Sequence, residues 1–121
     1  MNEVDVATIE AIIRDRESAH DFYTRHSDVY RAFTRMESAA FADGTLARGY
    51  KELIAIGISL IDNCESCLEW HIKQALDAGM TADQIIEAIG VGIEMGGGPA
   101  TVSSRFAMKV LEYYGASSPQ S

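Results

Sequence analysis

Glu52, Cys64, Cys67 and His71 are the residues whose types and spacing could do chemistry in this chain. Eleven residues separate Glu52 from Cys64, two separate the cysteines, and three separate Cys67 from His71. The set uses both cysteines of the 121-residue sequence. Two thiols this close can close a disulfide, and an imidazole one helical turn beyond can take or return a proton. The pattern therefore reads as a dithiol redox centre.

The elements that must position these residues are helices. Strand-like alternation is absent, the chain has only two prolines, and Ala, Glu, Ile, Leu and Met recur throughout. The expected fold class is all-α, with six helices packed antiparallel in one domain spanning 1–121. The first helix should run from about Asp5 to Arg25, turning Ile9, Ile12, Ile13, Ala19 and Phe22 toward the core. Ser27-Asp28 opens a second helix carrying Tyr30, Phe33, Met36, Ala40 and Phe41 inward, with Gly44 as its stop. A third helix, Leu46 to Ile61, is apolar on every face from Leu53 onward. Such a helix must be buried all round, which a chain this small achieves most readily through subunit contacts.

Asp62-Asn63 breaks that run, and Asn63 is the expected N-cap of a fourth helix, Cys64 to Ala78, ended by Gly79. Thr81 and Gln84 form a capping-box pattern for a fifth helix reaching about Met95. Gly96-Gly97-Gly98-Pro99 then makes a tight turn into a last helix ending near Gly115, and Ala116 to Ser121 should fray. The glycine run is no phosphate loop, because the lysine and hydroxyl that should follow are missing.

With Asn63 as cap, both cysteines would lie in the first helical turn, where the positive end of the helix dipole stabilises a thiolate. Cys64, Cys67 and His71 then share one face. Glu52 joins them only if the chain turns, since on one continuous helix it would lie about 18 Å from Cys64. A hairpin pivoting at Asp62-Asn63 brings Glu52 level with His71, where a carboxylate would orient the ring. The row Glu52–His71–Cys67–Cys64 would form a proton relay leading to a dithiol, with Cys67 the more strongly activated thiol.

Other readings of these residues stay open. Two cysteines, a histidine and a glutamate could hold zinc as a structural site, and two cysteines can simply be core residues. Glu52 taken alone reads as a solvated carboxylate near a helix start. Trp70 reads as packing or interface, Met80, Met95 and Met108 as core filler, and His20 and His26 as members of a polar face without a role.

Composition narrows the function classes. A net charge of −8 disfavours nucleic-acid backbones and anionic membranes as partners. The Leu53–Ile61 run is far too short to span a bilayer. The acidic N-terminus lacks the pattern of a signal peptide, so a cytoplasmic location is expected. In that compartment a CxxC pair is catalytic or metal-binding more often than a permanent staple.

At Glu52, Cys64, Cys67 and His71 the chain resembles the carboxymuconolactone decarboxylase superfamily, specifically its alkylhydroperoxidase D-like (AhpD-like) branch. The similarity covers about Tyr30 to Tyr113, including the Ala-Gly-Met-Thr-Ala-Asp-Gln-Ile segment after the motif. The resemblance implies an antiparallel all-α fold, a homo-oligomer (trimer or hexamer), and disulfide reductase or peroxidase activity without a cofactor. It implies that Cys67 attacks a hydroperoxide, that Cys64 completes the disulfide and exchanges with a thiol reductant or a lipoylated redox protein, and that Glu52 and His71 relay protons. Ser66 stands between the cysteines where the best-known members carry His, which removes one member of that relay. The lyase activity that names the superfamily belongs to a branch that generally lacks the CxxC.

Overall fold

The computed structural model describes residues 1–116, and these form six helices: α1 (Glu3–His26), α2 (Asp28–Phe41), α3 (Arg48–Ile61), α4 (Glu65–Asp77), α5 (Ala82–Gly96) and α6 (Gly98–Tyr113). The fold is all-α, as the apolar periodicity requires. Residues 117–121, part of the expected frayed tail, lie outside the described residues. Ala116 is held, with its N–H donating to the Leu111 carbonyl at 2.8 Å.

Local chemistry sets most of the boundaries. Ser27 caps α2 through its hydroxyl, which accepts the Tyr30 N–H at 3.0 Å. Thr81 and Gln84 close the reciprocal capping box at the start of α5. Gly79 takes φ +90°, which lets the chain leave α4 and turn into α5. Pro99 lies in the first turn of α6. The third helix begins at Arg48 rather than Leu46, because Asp43 Oδ1 accepts the Arg48 N–H at 2.7 Å and holds the preceding loop open.

The core lies between α3, α4, α5 and α6. Ile56 and Leu60 from α3, Leu68 and Ile72 from α4, Ile85 from α5, and Ala107 and Val110 from α6 are all buried in it. Gly92 permits the close crossing of α5 on α3: a Cβ there would lie 2.9 Å from Leu60 Cδ2 and 3.2 Å from the Gly57 carbonyl oxygen. Helix α1 closes one side through Ile9, with Ile12 and Ile13 packed against the core. Helix α2 packs its backbone against α1 and α3.

Three burial expectations do not hold in the single chain. Ala19, Phe22, Phe33, Met36 and Ala40 are exposed, and Tyr30 and Phe41 are half-buried, because the outer faces of the α1–α2 hairpin have no further helix against them. Met95 and Met108 are also exposed, whereas Met80 packs against Gly49. The apolar half of α3 is buried on one side only: Ile54, Ile58 and Ile61 remain exposed and flank a shallow apolar trough with Val91 and Met95 of α5.

Candidate active site

The turn between α3 and α4 positions the cysteines, and it differs from the sequence expectation. Asp62 ends α3 in helical conformation, and Asn63 then enters the left-handed region at φ 52°. Asn tolerates that region because its short side chain finds a local or nearby partner. Here Asn63 Oδ1 accepts from Ser103 Oγ at 2.9 Å, pinning the turn to α6. An N-cap needs extended backbone, so Asn63 cannot serve and Cys64, at φ −102° and ψ 98°, takes the position. Its sulfur accepts the Cys67 N–H at 3.2 Å. Cys64 is therefore the cap, and Cys67 alone of the pair lies in the first turn of α4.

Cys64 and Cys67 are joined in a disulfide, with Cα atoms 5.2 Å apart. The turn also produces the antiparallel pairing that brings Glu52 to His71. His71 Nδ1 and Glu52 Oε1 are hydrogen-bonded at 2.7 Å. Glu52 is only 2% exposed, so the expectation for Glu52 alone, a solvated carboxylate, is replaced by a buried one. Its second oxygen lies 3.5 Å from Arg48 Nε, and Arg48 is in turn hydrogen-bonded to Gln74. Phe41, the last residue of α2, stacks on the His71 ring at a centroid distance of 5.3 Å. The imidazole is thus held by a carboxylate in its plane and an aromatic ring on its face.

Cys67, Ser66, Trp70 and His71 form one wall of a groove of about 550 Å³. Helix α1 supplies Arg16, Glu17 and His20 to the rest of the lining, and α2 supplies Tyr30, Phe33, Thr34 and Glu37. That volume suits a small organic ligand. Sequence spacing did not reveal this lining, because nothing local ties α1 to α4. The tie is Glu69, fully buried, which accepts hydrogen bonds from Arg16 and from the Tyr114 hydroxyl. Burial and the Glu69 hydrogen bond push the Tyr114 phenol well above its ordinary range. The Arg16 guanidinium also lies over the Trp70 ring, 4.9 Å from its centroid, so Trp70 is a groove wall held by a cation. His20, expected to be idle, hydrogen-bonds the Tyr30 hydroxyl across 2.8 Å.

Among the described residues no group of three or more His, Cys, Asp and Glu is arranged to hold a metal ion, and no helix is long and apolar enough to cross a membrane. The arrangement can do thiol–disulfide chemistry: a two-electron sulfur pair at a helix start, with a carboxylate-anchored imidazole sharing the groove with Cys67.

Comparison with known proteins agrees with this architecture. The chain is 39% identical over 85 residues to an uncharacterized protein of Cupriavidus necator, covering 70% of this chain and 73% of the relative. It is 40% identical over 81 residues to uncharacterized protein 4 in the cox locus of Paracoccus denitrificans, covering 67% and 73%. A carboxymuconolactone decarboxylase family protein of Legionella pneumophila superposes with a TM-score of 0.76 at 26% identity, over 92% of this chain and 98% of that one. A Thermotoga maritima protein of that family, described with a possible involvement in antioxidative response, has the same fold at a TM-score of 0.79 and 23% identity, over 86% and 89%. The model of the carboxymuconolactone decarboxylase family matches residues 27–110, which hold the whole Glu52–Cys64–Cys67–His71 set, and the chain belongs to that family.

Proposed function

We propose that this protein is a thiol-dependent oxidoreductase of the alkylhydroperoxidase D-like type, reducing a hydroperoxide or a disulfide at the Cys64–Cys67 pair. The observation that carries the reading is the hydrogen bond between Glu52 and His71, placed beside a CxxC that opens into a groove. A buried carboxylate that anchors one imidazole nitrogen leaves the other free to exchange protons, which a purely structural cysteine pair would not need.

In the reduced protein His71 takes the Cys67 proton. The thiolate attacks the terminal oxygen of ROOH, the O–O bond breaks, and ROH leaves with a sulfenic acid on Cys67. Cys64, whose sulfur accepts the Cys67 N–H, attacks that sulfenic sulfur and expels water, closing the disulfide. An external dithiol, or a thiol-bearing redox protein, takes the oxidising equivalents and restores both thiols. The cycle draws on side chains alone and suits a reducing compartment such as the cytoplasm. The exposed Ile54, Ile58, Val91 and Met95 face supports assembly of several copies of the chain.

The test is a thiol count before and after one equivalent of hydroperoxide, with metal measured on the same sample. Two thiols lost and one alcohol formed per chain are expected. One tightly bound zinc per chain would favour a structural site instead, and activity surviving replacement of both cysteines would favour a lyase.

A further inference from the structure

Reduction of a hydroperoxide delivers two oxygens that each need a proton, one on the alcohol and one on the water. His71 has one ring nitrogen committed to Glu52, so it carries a single transferable proton at the free nitrogen. Displacement at the peroxide oxygen is in line, and the leaving alkoxide therefore departs on the side away from the Cys67 sulfur. Every groove-lining residue outside α4 belongs to α1 or α2, so a donor on the far side from Cys67 has to come from those two helices.

What those helices can donate is limited. Arg16 is bound to the buried Glu69 and does not deprotonate in proteins. The Thr34 hydroxyl already donates to the Arg31 carbonyl at 2.8 Å, and Glu17 and Glu37 bring carboxylates, whose ionised form only accepts hydrogen bonds. Tyr30 and His20 are different. Their side chains are hydrogen-bonded at 2.8 Å, with Tyr30 half-buried on the groove and His20 exposed to solvent. With its proton on Nδ1, His20 donates to the Tyr30 oxygen and leaves the phenolic hydrogen free to be donated elsewhere. A phenol is a stronger acid than the alcohol formed, so transfer runs downhill.

We propose that Tyr30 is a catalytic residue that protonates the leaving alkoxide, and that His20 acts through it as a positioning and proton-resupply residue. This rests on the peroxidase reading above. The bonds balance: Cys67 sulfur gains the terminal OH, the O–O electrons go to RO⁻, and RO⁻ takes the Tyr30 proton. Tyr30 is recharged through His20 from water, His71 returns the Cys67 proton to the departing hydroxide when Cys64 closes the disulfide, and the Cys64 proton is released to solvent. The substrate class follows from the same placement. An organic hydroperoxide with a poorly acidic leaving alcohol benefits from the donor, whereas a peracid, which leaves as a carboxylate, needs none.

The experiment measures single-turnover oxidation of the reduced full-length protein by tert-butyl hydroperoxide and by peracetic acid, for wild type, Tyr30→Phe and His20→Gln. Loss of a general acid is expected to slow the tert-butyl reaction of Tyr30→Phe about 10²-fold, with a smaller loss in His20→Gln. The peracetic acid rate should stay within about twofold, a contrast between leaving groups that loss of packing would not produce. Equal slowing of both peroxides, or of neither, in Tyr30→Phe would overturn the inference alone. A wild-type protein oxidised by neither peroxide would overturn it together with the peroxidase reading. Reduction of the Cys64–Cys67 disulfide by dithiothreitol at the wild-type rate checks that the variants remain folded.

Discussion

His71 Nδ1 lies 2.7 Å from Glu52 Oε1, across nineteen positions of sequence and the α3–α4 turn. The carboxylate is buried, so the imidazole is its main hydrogen-bonding partner and its orientation is fixed from below while Phe41 covers its face. Glu52→Gln keeps an acceptor for the ring but removes the charge that faces it. Peroxide consumption should fall by roughly 10²-fold, and His71→Gln should fall at least as far. Single-turnover thiol loss is the measurement, and a wild-type rate in Glu52→Gln would remove the carboxylate from the relay.

The two cysteines should differ in what they leave behind. Cys67→Ser should abolish peroxide consumption, because Cys67 is the sulfur that shares the groove with His71. Cys64→Ser should react once per chain and retain a sulfenic acid on Cys67 that a dimedone-type probe captures. Labelling of Cys64 in Cys67→Ser at the wild-type rate would reverse the roles. The helix cap gives that outcome a physical basis, since a Cys64 thiolate would accept the Cys67 N–H at the positive end of α4.

Arg16→Met should destabilise the fold by about 3 kcal/mol, since it leaves the Glu69 carboxylate buried without its cation. Urea unfolding at neutral pH measures this. A change below about 0.5 kcal/mol would mean that Glu69 relaxes toward water or is satisfied by Tyr114 alone.

Tyr114 sets a pH dependence with a definite sign. Burial, then the hydrogen bond to Glu69, raise its folded-state pKa above the ordinary 10.0. Below about pH 10 the phenol is protonated in both states, and its contribution is fully present. As pH rises further the unfolded phenol ionises first, so the unfolded state is favoured and stability falls. The stability difference between wild type and Tyr114→Phe should therefore shrink as pH rises above about 10, which denaturant titrations at stepped pH would reveal. A difference that grew would contradict the assignment.

Ile58→Glu should break assembly. Ile58 is 56% exposed in the single chain, and it sits in an apolar trough with Val91 and Met95, which are 65% and 73% exposed. Contiguous exposed apolar patches of this kind mark interaction surfaces. Sedimentation at low micromolar concentration should give an oligomer for the wild type and the 13.2 kDa monomer for Ile58→Glu. A monomeric wild type would end the oligomer proposal.

The amino-acid sequence by itself determined what acts over a few residues. The helices, the Ser27 cap, the Thr81–Gln84 box and the turn after Ile61 follow from apolar spacing and local hydrogen bonding. The spacing of Glu52 and His71 about that turn was enough to pair them, because an antiparallel hairpin sets residues at similar distances from its turn level with one another. Tertiary structure decided the rest. Asn63 lost the cap to Cys64 because Ser103, forty positions away, offered its side chain a partner. Phe33 and Met36 carry the periodicity of core residues yet stay exposed, since periodicity marks an apolar face without saying what will meet it. Arg16 and His20 share a groove with Cys67 because α1 is drawn onto α4 by the buried Glu69, an ion pair spanning fifty-three positions that no local pattern encodes.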